Sequence, residues 1–318
     1  MKLNKNLFVM LVCLMTLVLM VAGCSNTNPS QGEKDKQAEQ ESKTSRVFTH
    51  KFGETVLPEK LEKIAVMDLR IADPMLALGV TPVGIVGTDK NYPDYIFEDM
   101  KDVPLLGEWP GDPEAYIKAE PDLIIGAWLD AKSYEALSKI APTINFEGDW
   151  RAFVPLVGEV LGKEAEAQKL MDEYYAKAEK ARAELQQLVG DETFVLLRAR
   201  GDMGFVSSGA GKEWAPGVFF HDLGLAHIEE LKNDNHKQIS LEILPEINPD
   251  HIIIEMLAWA DGETFYNDQV KNSGVWNGMD AVKNDKVYIF DTELLNFGGV
   301  KGMQVLIDEF LKELTKKN

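Results

Sequence analysis

Thiols are almost absent from this chain. Cys13 and Cys24 are the only two cysteines in 318 residues, and nothing after position 24 carries a sulfhydryl. The body can therefore form no disulfide, no Cys-ligated zinc site and no thiol nucleophile. Histidine is scarce at five, so a His-rich metal site is thinly supplied. Base is in deficit too: 33 Lys and Arg face 52 Asp and Glu, a formal charge of −19 that argues against nucleic acid as a partner. Familiar catalytic signatures are missing. Ser207-Ser208-Gly209 is not a G-x-S-x-G elbow, no H-E-x-x-H occurs, and Gly209-Ala-Gly-Lys-Glu213 lacks the earlier Gly and the Ser/Thr of a phosphate loop. What is present, at 45% hydrophobic and 27% charged, suits one large domain or two ordinary lobes.

The amino terminus reads as an export segment. Lys2 and Lys5 precede a run from Leu7 to Val21 that is broken only by Thr16 and ends in Val21-Ala22-Gly23-Cys24. Counted to Gly23 it would span about 25 Å as a helix, short for a bilayer crossing. Small residues before a Cys at the end of such a run resemble the bacterial lipobox, with cleavage before Cys24 and a lipid on its thiol. An uncleaved anchor or an ordinary signal peptide is the plainer alternative. Residues 1–23 carry two Lys and no acid, so their removal takes the formal charge from −19 to −21. Residues 24–45 have no large apolar side chain and read as a disordered tether.

From residue 46 the pattern is α/β. Arg46 to Leu57 reads as a hairpin around Gly53. Short apolar strands are predicted at 64–67, 83–86, 123–125 and 143–146, with helices over 72–78 and 132–140, which argues for a mainly parallel, buried sheet. Between Gly162 and Gly190 there is no Pro or Gly, and Leu170, Tyr174, Ala178, Ala181, Leu185 and Leu188 recur at steps of three and four. That spacing predicts a single amphipathic helix of about 27 residues and 40 Å, long enough to join two lobes. The α/β pattern then resumes, with strands at 193–200, 205–208, 251–256 and 286–290 and helices at 214–223, 241–247 and 300–316.

The two halves echo each other. Glu114 to Ile125 aligns without gaps on Glu242 to Ile253, and five of the twelve positions coincide, Pro-Asp and Ile-Ile among them. Two similar lobes are predicted, 46–160 and 191–318, joined by a linking helix at 161–190. A cleft between lobes is a favoured ligand site.

Read together, Cys24, Lys63-Ile-Ala-Val, Leu78-Gly-Val-Thr-Pro-Val-Gly, Glu120-Pro-Asp-Leu-Ile-Ile, the 162–190 helix, Pro249-Asp-His-Ile-Ile-Ile, Trp276 and Ala281-Val-Lys-Asn-Asp-Lys-Val-Tyr resemble the ABC-transporter substrate-binding lipoproteins of the iron–siderophore, haem and cobalamin group. The resemblance implies two Rossmann-like lobes on one long backbone helix, with the ligand cleft between them. It implies capture of a ferric siderophore, hydroxamate or citrate-like, by a monomer lipid-anchored on the outer face of the bacterial cell membrane. Delivery would be to an ABC permease and its ATPase. No catalysis and no cofactor are implied, since the iron arrives already chelated. Haem and cobalamin stay open within the same group, with Met203, Met256 and Met303 as axial candidates for haem. A lipid-anchored extracellular hydrolase is the rival of a different class.

Arg70 follows a strand and opens a helix, at the carboxyl end of a sheet where ligands of α/β folds gather. Arg198 and Arg200 lie two apart on a strand and face one side. Arginine donates paired hydrogen bonds to oxygen-rich anions, so these three are candidate ligand contacts, with a solvated edge of ion-paired Arg as the alternative. Lys212, Trp214 and Tyr92 join them. Trp109, Trp128 and Trp259 fall just beyond predicted strands, and Phe297 precedes a Gly-Gly turn; aromatic walls or ordinary core packing would both use them. By the same resemblance Asp73 and Asp222, or Glu213 in place of the latter, would be acids that dock on the permease.

Overall fold

The computed structural model describes residues 46–88, 90–234 and 236–317. The export segment, Cys24 and the tether lie outside the described residues.

The first lobe begins with the hairpin β1 (Val47–His50) and β2 (Gly53–Val56). Its sheet has the order β4-β3-β5-β6, with β3 at Ile64–Val66, β4 at Gly84–Ile85, β5 at Leu123–Ala127 and β6 at Thr143–Phe146, and every pairing is parallel. These strands are buried along their length, as a sheet covered on both faces requires. Helices at Asp94–Met100, Pro113–Ala119 and Trp150–Leu161 were not evident from the sequence.

The second lobe departs from the mainly parallel expectation. Its sheet runs β10-β8-β7-β11-β12, formed by Gln238–Ile239, Gly204–Ser208, Thr193–Arg200, His251–Met256 and Val287–Asp291; β9 (Ala226–His227) also pairs with β7. β8 is antiparallel to β7 and to β10. The cause is the short Gly201-Asp202-Met203 connection, which can return a strand only antiparallel. The helix expected at 214–223 is one turn, Trp214–Pro216, that continues as a wider π turn through Gly217–Asp222.

The internal echo has a physical basis. β5 pairs in parallel with β3 and β11 with β7, in each case the earliest strand of the sheet in chain order. Asp122 accepts from the backbone N–H of Glu62 and Lys63 just before β3 (3.0 and 2.9 Å), and Asp250 accepts from Thr193 N–H and hydroxyl at the start of β7 (both 2.7 Å). The shared Pro-Asp thus ties a central strand to its neighbour in both lobes.

The long helix is Glu164–Leu188. It buries the predicted apolar face apart from Leu188, which is exposed near the end. One apolar core runs across the joint. It contains Ile64, Val66 and Trp150 of the first lobe, Tyr174 and Ala178 of the long helix, Phe194 and Ile253 of the second sheet, and Phe310 of the terminal helix Val300–Lys317.

Asp73 fastens the start of that terminal helix. It sits in the helix Leu69–Ala77, is 2% exposed, and accepts from Tyr95 Oη (2.8 Å), Lys301 N–H (3.0 Å) and Gly302 N–H (2.9 Å). A carboxylate at a helix start satisfies donors that lack partners within the helix. Burial raises its pKa against the pull of these donors. Gly299 and Gly302 permit the approach: a Cβ would come within 2.6 Å of the Asp73 side chain at the first and of Tyr95 Oη at the second. Asp222 is also held. It takes an ion pair from Arg151 and a hydrogen bond from Tyr174 Oη (2.6 Å), linking first lobe, long helix and second lobe. Asp73 is thus buried in the joint instead of standing on a lobe tip, and Asp222 is part-exposed and already paired there.

His251, in the first position of β11, is fully buried between Phe194 and Tyr288 and contacts Glu192 and Tyr288 Oη. Burial lowers its pKa, a trend Glu192 opposes and Lys286 reinforces. The folded chain therefore binds fewer protons here than the unfolded chain just below the ordinary imidazole value, so this contribution to stability is lost as pH falls. Between about pH 7 and pH 5, melting temperature should fall, and less steeply in His251→Gln than in wild type. Identical slopes in calorimetry would show that His251 plays no part.

Candidate ligand cleft

The carboxyl ends of the two sheets face each other across a series of connecting cavities. One of about 370 Å³ is lined by Arg70, Arg198, Lys212, Trp214, His236 and Asn296 among others. A neighbour of the same volume shares Arg70, Arg198, His236 and Asn296 and adds Arg200, Trp259 and Phe297. A third, about 430 Å³, shares Trp259 and Phe297 and extends to Asp68, Asn91 and Tyr92.

Arg70 is positioned by its own helix. Asp68 caps the helix Leu69–Ala77, accepting from Arg70 N–H (2.8 Å) and again from Arg70 Nε (2.6 Å), and its other oxygen takes Nη2. The guanidinium lies 4.6 Å from the ring of Trp128, 4.7 Å from Trp214 and 5.2 Å from Phe297. Trp128 directly follows β5, whereas Trp214 and Phe297 belong to the second lobe, so this cation is caged by aromatic rings from both sides. Trp128 and Trp214 both have left-handed backbones, φ +51° and +57°. Strain of about 1–3 kcal/mol per such residue persists only where surroundings enforce it, and it clusters at ligand sites.

Arg198 is held from behind. Register places it beside Glu255 on β11, and its Nε donates to Glu255 Oε2 at 3.0 Å. Glu255 is 1% exposed and also accepts from Thr292 Oγ1 (2.9 Å) and Asn296 Nδ2. Burial raises its pKa, opposed by Arg198 and these donors. On the other side Arg198 Nη1 meets His236 Nε2 at 3.1 Å. Arg200 makes a two-point pair with Asp202, both contacts 2.9 Å, and is more exposed.

The structure thus brings Arg70, Tyr92, Trp128, Arg198, Arg200, Lys212, Trp214, Trp259 and Phe297 to one interlobe region. Trp259 is 60% exposed with its ring 5.7 Å from that of Phe297. Trp109 is the exception. It is 53% exposed and lies outside the linings of these three cavities. Four residues escaped sequence reasoning: Asp68, His236, Glu255 and Asn296. Two carried a signal. Asp68 has the position of a helix cap, and Glu255 is the one charge inside the apolar strand His251-Ile-Ile-Ile-Glu-Met. Among the axial candidates, Met303 is 1% exposed in the core.

Two α/β lobes on a long helix, with basic and aromatic side chains gathered between them, define a bilobal solute-binding protein. The chain belongs to the periplasmic binding protein family, whose model matches residues 64–294. It is 29% identical to the Fe(3+)-citrate-binding protein YfmC of Bacillus subtilis, over 99% of this chain and 98% of that one. With the iron(3+)-hydroxamate-binding protein YxeB of the same organism it shares 27% identity over 91% and 90%. Among solved structures, Staphylococcus aureus SirA complexed with staphyloferrin B superposes with a TM-score of 0.72 at 28% identity, covering 86% of this chain and all of that one. Bacillus subtilis FeuA complexed with ferri-bacillibactin, at 0.71 and 23% identity over 85% and 98%, shares the fold.

Glu255→Ala removes the buried acceptor of Arg198 and should cost about 3 kcal/mol in urea denaturation, whereas Glu255→Gln, which keeps an acceptor oxygen, should cost about 1 kcal/mol. Equal losses would show that the charge paired with Arg198, and not an acceptor oxygen alone, is what Glu255 contributes.

Proposed function

We propose that this protein is the solute-binding component of an ABC importer, capturing a ferric siderophore outside the cytoplasmic membrane and delivering it to a permease. One observation carries the reading: Arg70, Arg198 and Arg200, drawn from both lobes, converge with Trp214, Trp259 and Phe297 on one interlobe cleft. Guanidinium N–H groups match the oxygen atoms of an iron chelate, and aromatic rings match its apolar linkers. The iron is cargo and arrives fully chelated, so the protein supplies shape, hydrogen bonds and rings rather than metal ligands. The chain performs no catalysis in this scheme. Cys24 is the lipid anchor, residues 24–45 are the tether, and the protein acts as a monomer. The named ligands of the iron-binding relatives support the iron assignment.

Trp214 and Trp259 report on the cleft. Titration with ferric hydroxamate, citrate and catecholate complexes, with haem and cobalamin as controls, should give saturable quenching of tryptophan fluorescence by a ferric siderophore. No saturable response to any iron complex would overturn the assignment. Replacing Arg198 and Arg200 together by Ala should weaken binding at least about tenfold, on the order of 1.4 kcal/mol or more. An unchanged Kd would remove both residues from the site.

A further inference from the structure

Two features of the cleft bear on the charge of its ligand. The first is that its arginines are already matched by acids. Arg70 is paired with Asp68, Arg198 with Glu255 and Arg200 with Asp202. A guanidinium whose carboxylate lies within contact range acts beyond that range as a dipole rather than a charge. It keeps directional N–H donors for a ligand oxygen but offers little net attraction to an anion. The surrounding molecule, at a formal −19, repels anions at longer range.

The second feature lies at the opposite end. The cavity next to Trp259 shares Asn91, Tyr92, Ala258 and Glu293 with a further chamber of about 520 Å³. Asp94, Glu263, Asp291, Glu293 and Glu309 line that chamber, and no Lys, Arg or His does. Glu309 is paired with Lys312 outside it. Asp94 and Asp291 come from different lobes, so the chamber, like the arginine end, is made by the lobes facing each other. Among the described residues no group of three or more His, Cys, Asp or Glu side chains comes together as a metal site. The carboxylates therefore surround a space instead of converging on a point, which suits an extended cationic group better than a bare metal ion.

We propose that the cleft selects ferric siderophores of zero or positive net charge, with the chelated iron against the compensated arginines and a protonated amine arm in the acid-lined chamber. The inference rests on the ferric-siderophore assignment and names the ligand class within it. Ferric trihydroxamates are uncharged at the metal centre, and a free amine makes the whole complex cationic. Ferric triscatecholates carry three negative charges and would meet a cleft whose arginines are each paired with an acid and whose Lys212 has Glu213 beside it in the same lining.

The test uses the purified protein and four iron complexes: ferrioxamine B, which carries a protonated amine; its N-acetylated form, which is the same chelate without the charge; ferric citrate; and a ferric triscatecholate. Fluorescence titration should show ferrioxamine B binding about tenfold tighter than the acetylated form, and that preference should shrink as salt is raised. The double variant Asp94→Asn/Glu263→Gln, at two exposed positions of the chamber, should bring the two affinities together. Equal binding of the amine and acetylated complexes by the wild-type protein would overturn the charge selection and leave the ferric-siderophore assignment intact. Tighter binding of the triscatecholate or of citrate than of either hydroxamate would do the same. A variant that keeps the full preference would move the amine out of the chamber. No binding of any of the four would overturn both readings.

Discussion

The cleft depends on where the terminal helix begins. Val300–Lys317 belongs by sequence to the second lobe, yet its first turn lies against Asp73 of the first, whose buried carboxylate accepts two of its backbone N–H groups. Those donors have no partner within the helix, and a buried carboxylate without donors would be costly, so each holds the other in place. Arg151 and Tyr174 converge on Asp222 elsewhere in the joint. Phe194, Tyr174 and Phe310 fill the space between in one continuous apolar core. The lobes are thus joined by packing as well as by the long helix.

Given that joint, the cleft chemistry follows from strand ends. Parallel strands place their carboxyl ends on one side of each sheet, and the joint turns those two sides toward each other. Arg70 and Trp128 reach the cleft from the first sheet, Arg198 and Glu255 from the second. Each arginine has a supporting carboxylate that fixes its direction while reducing its net charge. Directional donors with little surplus charge suit an oxygen-rich, weakly charged chelate, and the adjoining acid-lined chamber extends the preference toward cations. The overall acidity of the chain is therefore not confined to its outer surface, because part of it faces the cleft.

Much of the architecture was legible in the sequence because local patterns carried it. Strands at Thr193–Arg200 and His251–Met256 followed from apolar runs bounded by turn residues, and the long helix from a stretch without Pro or Gly. The repeated Pro-Asp before β5 and β11 had a reason that could be stated only once Asp122 and Asp250 were seen tying adjacent strands together. Antiparallel β8 was less visible, since direction of pairing depends on how short the preceding turn is. Asp73 and Asp222 looked like surface acids because an isolated carboxylate in an acidic chain gives no hint of what packs against it.

Local patterns along the chain were enough for the fold class, the two α/β lobes and the arginines at strand ends. These depend on hydrophobic periodicity and on where a residue falls along its own element. Packing alone reveals that Asp73 is buried in the joint, which carboxylate stands behind each arginine, and which carboxylates surround the chamber beside the cleft. Those relations join residues as far apart as Asp73 and Gly302 or Arg198 and Glu255. No local pattern encodes them, because they arise from how separately formed elements pack.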